Sequence, residues 1–386
     1  MPIMRKHIAI VALFLSFLLF VACSKDNESD TPREEGPNKQ TIIIFFPWSG
    51  TTMSNGLYYF ITQNVREIQK AIVDNKGFSQ ARFICFMSNS AESAVMYEMK
   101  YEKGKCVNDT VQRYSSPDFS DASTLQHIIA DAIGHAPAER YGMVVGGHGS
   151  GWLPAPSTIK KKTRFIGGYS GVYATDTPVF AQALNALGQK MDFILFDNCY
   201  MANIEVAYDL RDATDMMIAS TSEIIERGIP YQDIFKYLVG SPDYERLIAG
   251  FHDFYKSYTY PFGALSAIDC TQTEKMAAIM RRINSQTVWN AYNNNLVQKL
   301  DGYSPGVFYD MGDYVRHLCE DPVLLSEFEQ ALKQLVPYAS CTDNLYTELT
   351  ASQFVVSTFS GITISDPSEN SMAAGKTSTN WYQATH

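Results

Sequence analysis

The chain has 386 residues, 46% of them hydrophobic and 19% charged, which supplies one large globular core or two modest ones. Its formal net charge of −10 at pH 7 speaks against a nucleic-acid partner, which needs a basic surface, and is compatible with a site for basic substrates. No cysteine stands in a CxxC or a close Cys/His cluster, so no zinc site is expected.

In chain order, Arg5 and Lys6 precede an apolar run from Ile8 to Ala22 that is too short for a comfortable membrane span, so residues 1–22 read as an export signal. The run ends in Phe20-Val21-Ala22-Cys23, which resembles a bacterial lipoprotein lipobox, with Phe20 where leucine is commonest. That resemblance implies cleavage before Cys23 and its lipidation, hence a lipoprotein of the bacterial outer membrane or cell surface; secretion or an uncleaved anchor are the alternatives. Residues 23–40 follow as a disordered tether: from Ser24 to Gln40 there is no aliphatic or aromatic side chain to bury. Its acidic start resembles the surface-export signal of Bacteroidetes lipoproteins.

Strands and helices then alternate, the mark of an α/β fold with a mostly parallel sheet. Thr41–Phe46 is a continuous apolar run, expected as a strand buried on both faces. Helical spacing over Asn64–Val73 leads to a second strand at Ala81–Met87. Ala94–Lys100 and Val107–Arg113 flank Gly104 as a hairpin, and Ser120 or Asp121 caps a helix with Leu125, Ile128, Ile129 and Ile133 on one face. A strand ending before His148, a helix near Val179–Leu187, a strand ending before Cys199 and a strand at Met216–Ser222 complete a catalytic domain drawn over residues 41–240. Residues 241–386 are richer in helix: Tyr244–Tyr258, Glu274–Val297 and Leu324–Val336, interrupted by strands Gly263–Asp269 and Phe359–Ser365. This region is expected to pack on the sheet.

Two segments carry chemistry. Tyr141-Gly-Met-Val-Val-Gly-Gly-His148-Gly-Ser-Gly-Trp152 holds four glycines in the six residues 146–151, which cost backbone entropy and make sense where backbone approaches another chain or presents N–H groups. Met191-Asp-Phe-Ile-Leu-Phe-Asp197-Asn-Cys199-Tyr-Met-Ala-Asn-Ile-Glu205 delivers a cysteine to a strand end, with helical character from Tyr200 to Leu210. In an open parallel sheet the loops at the carboxyl ends of strands form the ligand crevice, so His148 and Cys199 are expected to meet there. A cysteine needs a base or a positive field to become a thiolate, and a helix start after Cys199 supplies such a field. Ser150 has His148 and Trp152 where a nucleophile elbow needs glycines, Ser170 has Gly168 but Val172, and neither a Walker loop nor GxGxxG is present. Cys85, in an apolar strand, reads as a core residue.

The His-Gly-Ser-Gly-Trp and Asp-x-Cys-x-Met-Ala-x-x-Glu blocks resemble the clostripain family of cysteine peptidases, of the caspase-like clan that includes gingipains and legumains. Supporting matches are Ser222-Glu223 with Gly228-Ile-Pro-Tyr231, Gly263–Asp269 and Ser360–Ile364; Asn198 and Tyr200 depart from the typical alanine and leucine. The resemblance spans residues 41–366 and implies a caspase-like sheet sandwiched by helices, with a Cys199–His148 dyad and an oxyanion hole from the N–H groups of Gly149 and Cys199. It implies cleavage of peptides or proteins after arginine or lysine, with Asp197 as the carboxylate of the specificity pocket and Glu223 as a second candidate. No cofactor is expected; a calcium requirement is not legible. The basic run Lys160-Lys161-Lys162-Thr-Arg164 is either a solvated loop or a self-cleavage site, since relatives are activated by a cut in this stretch. The competing reading is a caspase-like surface lipoprotein that binds peptides without cleaving them.

Overall fold

The computed structural model describes residues 38–153, 166–168 and 171–386; the export signal, Cys23 and the basic run at Lys160–Arg164 lie outside the described residues.

Nine strands form one sheet. In chain order the first elements are β1 (Gln40–Phe46), α1 (Tyr58–Asp74), β2 (Ala81–Ser90), β3 (Ser93–Glu102), β4 (Lys105–Ser115), α2 (Ala122–His135) and β5 (Arg140–Gly146). There follow β6 (Ile166–Gly167), β7 (Ala174–Thr175), α3 (Thr177–Asn185), β8 (Met191–Asp197), α4 (Ile204–Asp209), β9 (Thr214–Ala219), α5 (Tyr231–Ile234) and α6 (Tyr244–Ser257). The last are β10 (Ala264–Asp269), α7 (Thr273–Asn284), β11 (Tyr309–Asp310), α8 (Met311–Leu318), α9 (Pro322–Leu335), β12 (Tyr338–Cys341), β13 (Asn344–Thr347), β14 (Ser352–Val355), β15 (Thr363–Ile364) and α10 (Asn380–Thr385). The order across the main sheet is β12-β10-β9-β8-β5-β1-β2-β3-β4. Its centre, β9-β8-β5-β1-β2, is parallel, and antiparallel strands extend it at both ends.

The centre of the sheet is buried on both faces, and the period of two sorts its residues. Ile42, Ile44, Phe46, Phe193 and Leu195 point into a layer with α1, α5 and α6, whereas Ile43, Phe45, Ile194 and Phe196 point into a layer with α2, α3, α4 and α7. The α/β sandwich expected from alternation is therefore present, and β10 and β12, from beyond residue 240, complete its edge. Asp121 caps α2 by accepting from the Thr124 N–H.

Two elements differ from expectation. Glu274–Val297 is not one helix: α7 stops at Asn284 and a short 3-10 turn occupies Ala291–Leu296. Asn290 caps that turn, its side chain accepting from the Tyr292 N–H, the local bonding by which Asn competes with a continuing helix. The strand expected at Phe359–Ser365 shortens to β15, because Ser360 gives its N–H and hydroxyl to the Asp310 carboxylate rather than to a ladder.

Candidate active site

The last registered pair between the adjacent parallel strands β5 and β8 is Gly146 with Asp197. His148 and Cys199 each lie two residues beyond that pair, so both leave the sheet at the same height on neighbouring strands. The two turns are fastened to each other. The Asn198 side chain donates to the His148 carbonyl at 2.9 Å, and the Gly147 N–H reaches the Asp197 carbonyl at 3.4 Å. Gly149 lies so close to the cysteine turn that a Cβ there would stand 2.5 Å from the Cys199 carbonyl oxygen and 2.8 Å from its nitrogen. The glycines around His148 thus have the reason the sequence suggested: backbone meets backbone here.

His148 also pairs with the strand that returns after the undescribed residues. Its N–H and carbonyl exchange hydrogen bonds with Gly167, both at 3.1 Å. The imidazole is half-buried, and burial pushes its pKa down to about 4, against a weaker opposite pull from the Ser49 backbone. It is neutral at pH 7 and able to accept a proton.

The setting of Cys199 corrects one expectation. The helix after it begins only at Ile204, with Asn203 as N-cap, and Tyr200 takes a left-handed conformation with φ 61°. Cys199 is outside the first helical turn, where the helix field falls off. Its sulfur instead accepts from the Ile224 N–H at 3.4 Å and faces the Ile224 carbonyl at 3.7 Å. Among the other described cysteines, burial pushes Cys85, Cys270 and Cys341 up to about 12 and Cys106 to about 11, which removes them as nucleophiles at neutral pH. All six described cysteines are free thiols. Ser150 is fully buried.

Tyr200 and Asn198, the two departures from the family pattern, both have structural partners. Tyr200 stacks on Phe308 with ring centroids 4.9 Å apart and donates its hydroxyl to Glu223 at 2.6 Å. Glu223 also accepts from the Thr347 hydroxyl at 2.9 Å and the Glu348 N–H at 2.7 Å, so its carboxylate links the cysteine turn to the end of β13.

Asp197 continues the side-chain parity of Phe193 and Leu195 and so faces α1 and α5. Asn64 Nδ2 and the Tyr231 hydroxyl donate to its Oδ2 at 2.9 and 3.0 Å, and the Ile229 N–H donates to Oδ1 at 3.2 Å. Gly228, at φ 68°, lets the intervening loop cross the carboxylate; a Cβ there would lie 2.8 Å from Oδ2. Burial pushes Asp197 up to about 6, partly offset by the Ile229 and Tyr231 hydrogen bonds. Sequence reasoning does not single out Asn64 or Ile224: Asn64 lies on a helix remote in sequence, and Ile224 acts through its backbone, whereas Tyr231 belongs to the Gly228–Tyr231 match.

The remaining motif residues converge on one serine. Trp152, from the histidine block, donates its indole N–H to the Ser365 hydroxyl at 2.8 Å, and Glu205, from the cysteine block, accepts from the Ser365 N–H at 2.7 Å. The C-terminal segment is thereby fastened beneath both turns. Burial, with help from the Asp366 charge, pushes Glu205 up to about 8, and burial pushes Asp366 up to about 7 against the pull of Lys376. Such groups stabilise the fold while protonated; that contribution is complete below the ordinary carboxyl range and is lost as pH rises through about 7 to 8. Glu205→Gln, which keeps an acceptor for Ser365, should match wild type in thermal midpoint at pH 5 and exceed it at pH 8.5. Each kcal/mol is worth roughly 2–4 °C. A midpoint difference that does not change between the two pH values would refute this account.

A Cys-bearing turn and a His-bearing turn on adjacent parallel strands of an α/β sandwich define the class of caspase-like cysteine peptidases. The model of the clostripain family matches residues 51–379, and the chain belongs to that family. The secreted C11 cysteine protease "iotapain" from Bacteroides thetaiotaomicron is 38% identical, with a TM-score of 0.85 over 91% of this chain and 100% of that one. An inactive zymogen C11 protease from Parabacteroides distasonis is 26% identical, with a TM-score of 0.76 over 90% of this chain and 98% of that one. A clostripain from Bacteroides thetaiotaomicron, solved with the peptide inhibitor BTN-VLTK-AOMK, is 43% identical, with a TM-score of 0.57 over 57% of this chain and 99% of that one. No curated protein matches the chain. The protein is a cysteine peptidase of the clostripain family.

Proposed function

We propose that this peptidase cleaves after lysine or arginine with Cys199 as nucleophile and His148 as acid–base partner. The observation that carries the reading is the equal height of the two residues beyond the Gly146–Asp197 pair. His148, neutral at rest, takes the thiol proton, and the thiolate adds to the scissile carbonyl. The N–H groups of Gly149 and Cys199, brought together where their backbones touch, receive the oxyanion. The imidazolium then protonates the leaving amine, and the neutral ring activates the water that frees the acyl-enzyme. Asp197 supplies the negative charge for the basic side chain. The inhibitor bound to the 43% identical relative ends in lysine, which supports that preference. A substrate-library cleavage profile tests it: cuts after lysine and arginine are expected, and cuts after uncharged or acidic residues would overturn it.

The same reading extends to maturation and location. The protein is held at the cell surface by lipidated Cys23, and it cuts itself within Lys160–Arg164. The described chain stops at Leu153, five residues after His148, and resumes at Ile166, beside the Gly167 that pairs with His148. The zymogen state of the Parabacteroides distasonis relative agrees with activation by cleavage. Gel electrophoresis with N-terminal sequencing should show a fragment starting between Lys161 and Phe165 in wild type and an intact chain in Cys199→Ala. A fully active single chain would refute activation by this cut.

A further inference from the structure

Asp197 does not stand alone beneath the loop that follows β9. Asn64 and Glu67 lie three residues apart on α1, on one face of the helix. Asn64 is 5% exposed; its Nδ2 is used on Asp197, and its Oδ1 is buried with no donor among the described residues. Glu67 accepts from Arg227 Nη2 at 2.7 Å through Oε1, while its Oε2 is buried and has no donor among the described residues. Arg227 comes from the loop that crosses Asp197, and its guanidinium lies over the Phe254 ring at 5.0 Å. Both Glu67 and Arg227 are close enough to act on the charge of Asp197, in opposite directions.

Buried acceptors without donors are costly to leave unmet. Two of them beside a desolvated carboxylate form a set that lacks only donors. An ammonium brings three N–H groups and a guanidinium five. Ionised Asp197 and Glu67 with Arg227 carry one net negative charge.

We propose that Asn64 and Glu67 join Asp197 in recognising the basic side chain before the scissile bond, and that Arg227 is a resident cation that weakens this recognition and sets its strength. The inference rests on the specificity reading above and adds to it three residues that the sequence motifs do not mark.

The test is a charge series measured with two peptides that differ only in lysine or glutamine before the cut. Arg227→Gln leaves the cluster one charge more negative, Glu67→Gln one charge less, and the double variant restores the wild-type sum. The KM for the lysine peptide should fall roughly three- to tenfold in Arg227→Gln, rise by a similar factor in Glu67→Gln, and return near wild type in the double variant. The glutamine peptide and the alkylation rate of Cys199 by iodoacetamide should not follow this order, which separates recognition from a general loss of structure. Equal KM values across the series, or the reverse order, would overturn the proposal. Arg227→Gln, at a side chain 23% exposed, carries the test by itself if Glu67→Gln folds poorly. A wild type with no preference for lysine over glutamine would instead sink the specificity reading, and this proposal with it.

Discussion

Cys199→Ala should abolish peptide hydrolysis, with a loss of about five to six powers of ten in kcat, while the thermal midpoint stays almost unchanged. The side chain is half-buried and its sulfur meets the Ile224 backbone as described above, so truncation of one sulfur atom empties little space. His148→Ala should cost a similar factor, because the proton transfers at both the attack and the departure of the amine pass through one ring. The double variant should be hardly worse than either single one, since the two groups act as a unit. Cys199→Ala with substantial residual activity, or losses from the two single variants that simply multiply, would remove the dyad. Replacement of Cys85 or Cys270 by alanine serves as the contrast: these change stability through packing and leave the chemistry alone.

Asp197→Asn should raise the KM for lysine and arginine substrates by about two to four powers of ten, the loss of about 3–5 kcal/mol expected when one side of a desolvated charge pair is removed. The fold should tolerate the change. Asn64, whose Oδ1 has no donor among the described residues, can turn its amide to accept from the new side chain. The alkylation of Cys199 by iodoacetamide, an uncharged reagent, should change little. A pH signature goes with it. Asp197 is held at about 6, so it is ionised above that value and neutral below it; His148 does not protonate until about 4. In wild type, kcat/KM for basic substrates should therefore fall as pH drops through about 6, and that step should vanish in Asp197→Asn. A mutant that keeps both the preference for basic residues and the step near pH 6 would place the pocket carboxylate elsewhere.

Glu223 acquires two partners that no motif contains. Its position after a strand end made it a second candidate for the pocket. Its carboxylate oxygens receive three hydrogen bonds, from Tyr200, Thr347 and Glu348, and two of those donors come from a hairpin more than a hundred residues away. The opposite case is Asn198. From sequence it was a departure from the family pattern; in the structure it bonds the backbone of His148.

What the sequence determined by itself was the layering and the two strand ends that carry His148 and Cys199. Continuous apolar runs such as Thr41–Phe46 leave a strand no option but burial on both faces, and the alternation of strand with helix then dictates a parallel centre. The glycines around His148 and the polar residues before Cys199 mark two strand ends, since backbone approach and strand termination are local properties that a short segment can encode. The tertiary structure alone decided what surrounds those ends. Asn64, Glu67, Arg227 and the Ile224 N–H reach the site from an α1 face and a loop whose local sequence is ordinary. Their roles come from distance, burial and unmet hydrogen-bonding capacity, quantities that exist only once segments remote in sequence have been packed together.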